Sequence, residues 1–400
     1  MDNGLEVFLL RTLPRSKGRY TYRAVQRLAA KAKLEVLPWV YEKIKLEGSM
    51  SYGCKDPEDS HLVFLSTGSR VDRYDLRTQE KLTFNAESAD SKLNIRIWGD
   101  LLLMCHYNGS VRVYKDYSRF PSLVKVWTSQ TTFMSKLALG AHGDAIGSND
   151  YIVGSDYYYL GQDEAVHKVD LQMIADLSKT TVGPIEPSAE FQIDTVVCTG
   201  PVGTFTFSKT KALLFVDNQH RKIFRKPQIG PVVEADLTEE AQQIATHIES
   251  VGPKHVLVGL FDPKANMNSV ALYGTNNMSK IQKLDLHPDL QSYLNSSSQD
   301  ESNHFRNVHV HQVSKELKLV LCVLRCIGLQ TYFFANDRLV TGPYINKFDP
   351  NNTQQGYIFT IVHIKTERSL EAGQKKPKHK AEWWVLLGSG TTTRFGLYLS

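Results

Sequence analysis

Long hydrophobic runs are missing from this 400-residue sequence. The longest, such as Val256–Leu260 and Leu319–Leu324, stop far short of the roughly 20 apolar residues that a spanning helix needs. A secretory leader is not expected, because Arg11, Arg15, Lys17 and Arg19 follow the first apolar stretch where a leader would have them precede it. Cysteine is scarce. Cys54, Cys105, Cys198, Cys322 and Cys326 are odd in number and scattered, and four of them sit among apolar residues. Buried reduced thiols are the expectation, in a chain working inside the cell, in cytoplasm or nucleus. Cys322 and Cys326 do not make a CxxC pair, and no second Cys or His pair stands at zinc-ligand spacing. Charge of one sign is lacking too: 47 Lys and Arg against 42 Asp and Glu give a net +5, which excludes a globally basic nucleic-acid binder.

Catalytic signatures are equally absent. Gly388-Ser389-Gly390 has no Gly-Lys-Ser/Thr after it and reads as a hairpin turn, not a P-loop. There is no G-x-S-x-G elbow, no H-E-x-x-H and no EF-hand loop. His309 and His311 would share one face of a strand near His304, but no carboxylate or thiolate completes a metal set nearby. No catalytic residue, metal or cofactor is therefore expected.

What is present is a repeat. A short apolar strand, a turn of Gly, Asn, Asp or Ser, and an alternating strand recur at 61–76, 100–117, 151–171, 212–226, 255–274, 317–336 and 383–400. One such hairpin cannot bury its apolar face alone. Four-stranded sheets stacked around an axis cover both faces of each and leave short, protected edges. The spacing predicts an all-β chain, a seven-bladed β-propeller over 46–400, after a short basic helical segment over 1–45. The rival is a large β-sandwich, or two smaller β domains, but no Pro/Gly-rich linker parts the chain. Leu34–Ile44 has strand character and would complete the last blade, beside a chain end that stops just after a strand. Within 151–171, alternation puts Tyr157 and Tyr159 on one face and Tyr158 on the other. A helix is expected at Leu237–Glu249, with Asp236 and Glu239 as its capping box, and a short one at Gln172–Leu177. Tyr293–Asn303 and Glu367–Lys380 read as polar insertions.

Two resemblances follow from particular residues. Asn108–Asp116 (NGSVRVYKD) resembles the third-to-fourth-strand region of a WD40 repeat, with Tyr-Lys standing where that family has Trp-Asp. Ala141-His142-Gly143-Asp144 comes nearest to its Gly-His dipeptide. Leu5–Trp39 resembles a degenerate F-box through Leu13-Pro14, Val25-Gln26-Arg27 and Trp39, although the opening Leu-Pro-x-Glu is missing and Gly18 interrupts the linking helix. That resemblance implies an adaptor-binding face of Leu5, Leu9, Leu13, Pro14, Val25 and Leu28, an SCF (Skp–cullin–F-box) adaptor and cullin as partners, and a propeller that captures substrate. The residues themselves leave another reading: Thr21, Val25, Leu28, Ala29 and Ala32 share a helix face that would pack under the propeller.

The expectation for function is thus a non-enzymatic protein-interaction module, sharpened to an F-box-like receptor. Its alternatives are a ribonucleoprotein or chromatin scaffold whose basic N-terminal helix touches nucleic acid, and a propeller enzyme with its site at the central channel. No membrane partner is expected. Arg11, Arg15, Arg19, Arg23 and Arg27 lie in a stretch without acids and are candidate partner contacts. Further contacts are expected on loops that connect blades, with Arg70, Arg112, Lys115 and Tyr117 as candidates.

Overall fold

Apolar β-branched and aromatic segments broken by turn residues become strands along the whole chain. The computed structural model describes residues 22–37, 50–59, 62–67, 70–75, 78, 80–85, 92–106, 109–131, 150–186, 192–237, 243–297, 305–312, 316–324, 328–345, 358–369, 378–387 and 392–399. It opens with helix α1 (Tyr22–Lys31) and strand β1 (Lys33–Leu37).

Six antiparallel sheets then follow in chain order, each with its strands side by side in sequence. The 50–85 sheet holds β2 (Met50–Lys55), β3 (Leu62–Thr67), β4 (Arg70–Asp75) and β5 (Lys81–Asn85). The 92–128 sheet holds β6 (Lys92–Trp98), β7 (Leu101–His106), β8 (Val111–Lys115) and β9 (Val124–Thr128). The 150–198 sheet holds β10 (Asp150–Val153), β11 (Asp156–Leu160), β12 (Val166–Asp170) and β13 (Asp194–Cys198), with helix α2 (Leu171–Thr180) between its last two strands. The 202–236 sheet holds β14 (Val202–Phe207), β15 (Leu213–Asp217), β16 (Lys222–Lys226) and β17 (Val233–Asp236). The 244–285 sheet holds β18 (Ile244–Gly252), β19 (His255–Asp262), β20 (Met267–Gly274) and β21 (Lys280–Asp285), followed by helix α3 (Pro288–Ser297). The 305–345 sheet holds β22 (Phe305–Gln312), β23 (Lys318–Leu324), β24 (Gly328–Ala335) and β25 (Arg338–Ile345). A further four-stranded sheet joins β26 (Ile358–Ser369), β27 (Lys378–Leu387) and β28 (Thr392–Leu399) to β1. There Lys33 faces Tyr398 and Leu37 faces Arg394 across an antiparallel pair, so the completing strand expected from 34–44 is present.

The contacts gather the chain into two compact units, one of 43–204 with 386–391 and one of 1–42, 205–385 and 392–400. In the first, Phe64, Val71, Ile95, Leu102 and Tyr114 fill the space between the 50–85 and 92–128 sheets. Leu103, Val113, Tyr157, Tyr159 and Ile174 do the same between the 92–128 and 150–198 sheets. In the second, Leu214, Ile223, Ile248 and Val258 lie between the 202–236 and 244–285 sheets. Val251, Leu272, Val320 and Tyr332 lie between the 244–285 and 305–345 sheets. Second strands carry the most apolar load: β7 and β19 are buried over nearly their whole length. Burial on both faces explains why those strands read as apolar runs without alternation.

Two expectations are corrected. Residues 244–249, the last part of the stretch read as helix, lie in strand β18 (Ile244–Gly252), bulged and paired with β19. Its Ala245, Ile248 and Val251 are fully buried between sheets, and that burial overrides the helical pattern. Residues 293–297 belong to α3 and not to a polar loop, because the fully buried Leu290 anchors the helix against the core. The short helix at 172–177 is present as α2; Asp170 caps it by accepting from the Met173 amide at 2.9 Å.

Candidate partner-binding surface

Arg70 and Arg112 stand beside the turns that join the second and third strands of their sheets, opposite Thr67 and Met104. Both side chains are half-buried. Lys115 and Tyr117 lie at the other end of the 92–128 sheet. The Lys115 amine donates to the Ser178 carbonyl at 2.8 Å, at the C-terminal end of α2 where the helix dipole favours a cation. The Tyr117 ring packs 5.6 Å from that of Phe64. The fold therefore divides these four candidates between two ends and uses Lys115 and Tyr117 to join elements.

Helix α1 places Val25 and Leu28 in contact with the 305–345 sheet; they are 1% and 8% exposed. Arg23, Arg27 and Lys31 occupy the exposed face, spaced four residues apart. Arg338 of β25 covers the Tyr22 ring at 5.7 Å. Leu5, Leu9, Leu13, Pro14, Arg11, Arg15 and Arg19 lie outside the described residues, as do the Ala141–Asp144 match and the turn at Gly388–Gly390.

The buried polar groups are spent on joining sheets. Asp150, the first residue of β10, accepts from Arg96 at 2.9 Å, Asn94 at 2.8 Å and the Tyr157 hydroxyl at 3.2 Å. Tyr157 also meets the Cys105 sulfur at 2.9 Å. Burial pushes the Asp150 carboxyl up, and Arg96, Tyr157 and Asn94 offset only part of that rise. Burial, then the Asp150 charge, raises the Cys105 thiol, so this sulfur is a packed core group and a poor nucleophile. In the same sheet His167 sits between Asp163 (2.9 Å) and Asp194 (3.3 Å), with its ring stacked on Tyr159 at 5.0 Å. Burial lowers its basicity, but the hydrogen bonds to Asp194 and Asp163 outweigh that and the net shift is upward. The Tyr159 hydroxyl donates to Asp194 at 2.6 Å. Tyr157 and Tyr159 share a buried face with rings 6.0 Å apart and Tyr158 is half-buried on the other, as alternation required.

In the second unit His220 closes the β15–β16 turn and pairs through Nδ1 with the Ala245 carbonyl of the next sheet at 2.7 Å. Gln282 makes both its amide bonds with the Leu339 backbone, at 2.9 and 3.0 Å. Among the described residues, no three His, Cys, Asp or Glu side chains are grouped to hold a metal ion. His309 and His311 lie on β22.

What the sequence did not mark is which aliphatic side chains stand out in solvent; Val182 between α2 and β13 is one, and Ile229, 94% exposed, and Val232, 53% exposed, lie together on the loop between β16 and β17. No sequence signal separates them from buried aliphatics, because Pro-Gly punctuation marks a loop without saying which of its residues stay uncovered.

No family model matches the chain, and no curated protein matches it in sequence. Solved structures do match in shape. The N-terminal domain of Nup159 is similar at a TM-score of 0.58 and 10% identity, over 92% of this chain and 96% of that one. A chain of the S. cerevisiae assembly of a Dbp5 variant bound to Nup159, a Gle1 variant, IP6 and ADP is similar at 0.55 and 9%, over 92% and 96%. YCF48 bound to D1 peptide is similar at 0.50 and 8%, over the same 92% and 96%. These are β-propellers, and the chain shares their fold.

Proposed function

We propose that the chain is a non-enzymatic interaction module, a propeller whose strand-end turns hold protein partners in a multi-subunit assembly. The disposition of polar groups carries this reading. Asp150, His167 and Tyr157, three groups whose acidity is perturbed, are engaged by contacts between strands and sheets. Charged and aliphatic side chains stand outward at turns and on α1. Proteins of the same fold are found in complexes with other proteins or a peptide, which supports the reading by analogy of fold. A propeller enzyme would require those engaged groups to be released toward a substrate.

The sharper reading, an SCF receptor, needs Val25 and Leu28 to dock on an adaptor. Both are buried against the 305–345 sheet, so the helix would first have to leave it. The packed position favours α1 as a clamp. The nucleic-acid reading has one observation in its favour, the exposed Arg23, Arg27 and Lys31 on a helix without acids. Four residues of helix rise about 6 Å and turn slightly more than once, so the three cations form a slanting row on one side of the helix.

Co-purification from the source cells at moderate salt tests these alternatives, with intact chain and Arg23→Glu/Arg27→Glu compared with and without nuclease. The module reading expects the same protein partners in every sample. Loss on nuclease treatment, or with the charge reversal, would move the assignment to a nucleoprotein scaffold. Recovery of a cullin and its adaptor would reinstate the F-box reading.

A further inference from the structure

One end of the 202–236 sheet combines exposed aliphatic surface with the exposed cations Lys209 and Lys211. In a four-stranded antiparallel sheet the turn between the first two strands and the loop between the last two share an end. Here these are residues 208–212, closed by bonds between Ser208 and Ala212 and between Lys211 and Ser208, and residues 227–232. The pairing of Leu213 with Lys226 fixes their adjacency. The first carries Lys209 and Lys211, both exposed. The second carries Ile229 between Pro227 and Pro231 and Val232 directly after Pro231, with Gly230 at a φ of 112° that favours glycine. Lys226 and Arg225 lead into it, and no acid occurs within 205–216 or 221–233. The Lys318 amine, hydrogen-bonded to the Val251 carbonyl, is pulled down to about 8 by burial and then by Lys209. On this sheet the acids are Glu234, whose carboxylate lies 3.4 Å from the Lys222 amine, and Asp217 and Asp236 at the opposite end. Glu249 is taken up by Thr206 and the Ser250 amide, while Glu316 and Asp337 lie on the 305–345 sheet.

We propose that this end of the sheet, Lys209, Lys211, Ile229 and Val232, docks an acidic protein segment that seats an apolar side chain on Ile229. Covering an exposed aliphatic side chain removes apolar surface from water and so favours binding. The two prolines restrict the loop before any partner arrives, which lowers the ordering cost of binding. The surrounding lysines select the sign of the partner's charge and speed its approach. The apolar members of the patch decide between partner classes. Single-stranded nucleic acid is held on aromatic faces that stack bases. The two turns hold no aromatic residue, only Ile229, Val232 and the prolines. An acidic peptide needs cations and an aliphatic contact, and both are here.

This inference deepens the interaction-module reading and rests on it. A random twelve-residue peptide library panned on the intact chain supplies the probe. The chain is then compared with Ile229→Ser and with Lys209→Glu/Lys211→Glu, all exposed positions where folding is expected to be unaffected and thermal unfolding can confirm it. The expected outcome is enrichment of peptides rich in Asp and Glu with an aliphatic or aromatic residue. Affinity for them should fall roughly tenfold or more with either variant, and more steeply with salt for the wild type than for the double variant. No enrichment, or enriched peptides insensitive to both variants, overturns the site. So does an oligo(dT) probe bound as tightly as the peptides and unaffected by Ile229→Ser, which would make the patch a nucleic-acid contact. The two readings fail separately. If the intact chain co-purifies with an assembly that all variants retain, the site is wrong and the module reading stands. If the intact chain recovers no protein, the module reading itself is lost.

Discussion

Two histidines respond to pH in opposite senses. His247 on β18 is buried with neither ring nitrogen hydrogen-bonded, and burial, then the nearby His309, lowers it to about 3. Below its unfolded value near 6.5 the unfolded chain gains a proton that the folded chain refuses, so its contribution is complete above about pH 6.5 and declines as pH falls toward 3. That slope is about 1.4 kcal/mol per pH unit. Urea unfolding at pH 7 and 5 should show a smaller acid loss in His247→Leu than in wild type; equal losses would contradict the assignment. His167, raised by its two carboxylates, contributes most at low pH and loses that contribution as pH rises through its folded value. Asp150 is the more costly residue to lose. Asp150→Ala leaves the Arg96 guanidinium, 20% exposed, without its carboxylate and should cost about 3–5 kcal/mol in the same assay. A cost near zero would show that the network joins nothing. Alternation made the shared face of Tyr157 and Tyr159 legible. The meeting of Tyr157 with Cys105, and of Asp150 with Arg96, was not, because the partners come from strands more than 50 residues apart and no local pattern records them.

Elements were legible in proportion to how locally they are determined. The recurring hairpins correspond mostly to second and third strands, the pairs closed by a short turn, as at β3–β4, β15–β16 and β19–β20. First and fourth strands were harder to see. β21 alternates between exposed and half-buried residues, and β18 carried a helical pattern that its burial overrode. Helix α1 was read in two ways, and its amphipathic face proved to be the packing face. Val25→Asp would place a charge in a contact that is 1% exposed, and should detach the helix. Hydrogen exchange at 22–32 would then rise by at least tenfold with β24 and β25 losing protection, while unchanged exchange would mean that the clamp contributes nothing. Asp170→Ala removes the α2 cap and should cost about 1 kcal/mol in thermal or urea unfolding.

At the scale of the whole molecule, repetition carried the fold. Regular recurrence of one hairpin gave the propeller, though the signature dipeptides of the WD40 family are replaced and sequence identity to proteins of the same fold is 8–10%. Apolar pattern and turn spacing are what a sheet-on-sheet stack requires, and they outlast residue identity. Surface function is another matter. Residue type alone does not say which end of a sheet a side chain occupies: the fold sends Arg70 and Arg112 to one end and Lys115 and Tyr117 to the other, with Lys115 engaged by α2. Exposure is a property of the assembled sheets, which is why Ile229 and Val232 emerged from the structure alone. The central claim, that this propeller exists to hold partners, is tested most directly by native mass measurement of the intact chain purified gently from its own cells. The account expects a species heavier than the single chain, containing a stoichiometric protein partner that persists after nuclease treatment. A lone chain, or one whose added mass is nucleic acid, would contradict it.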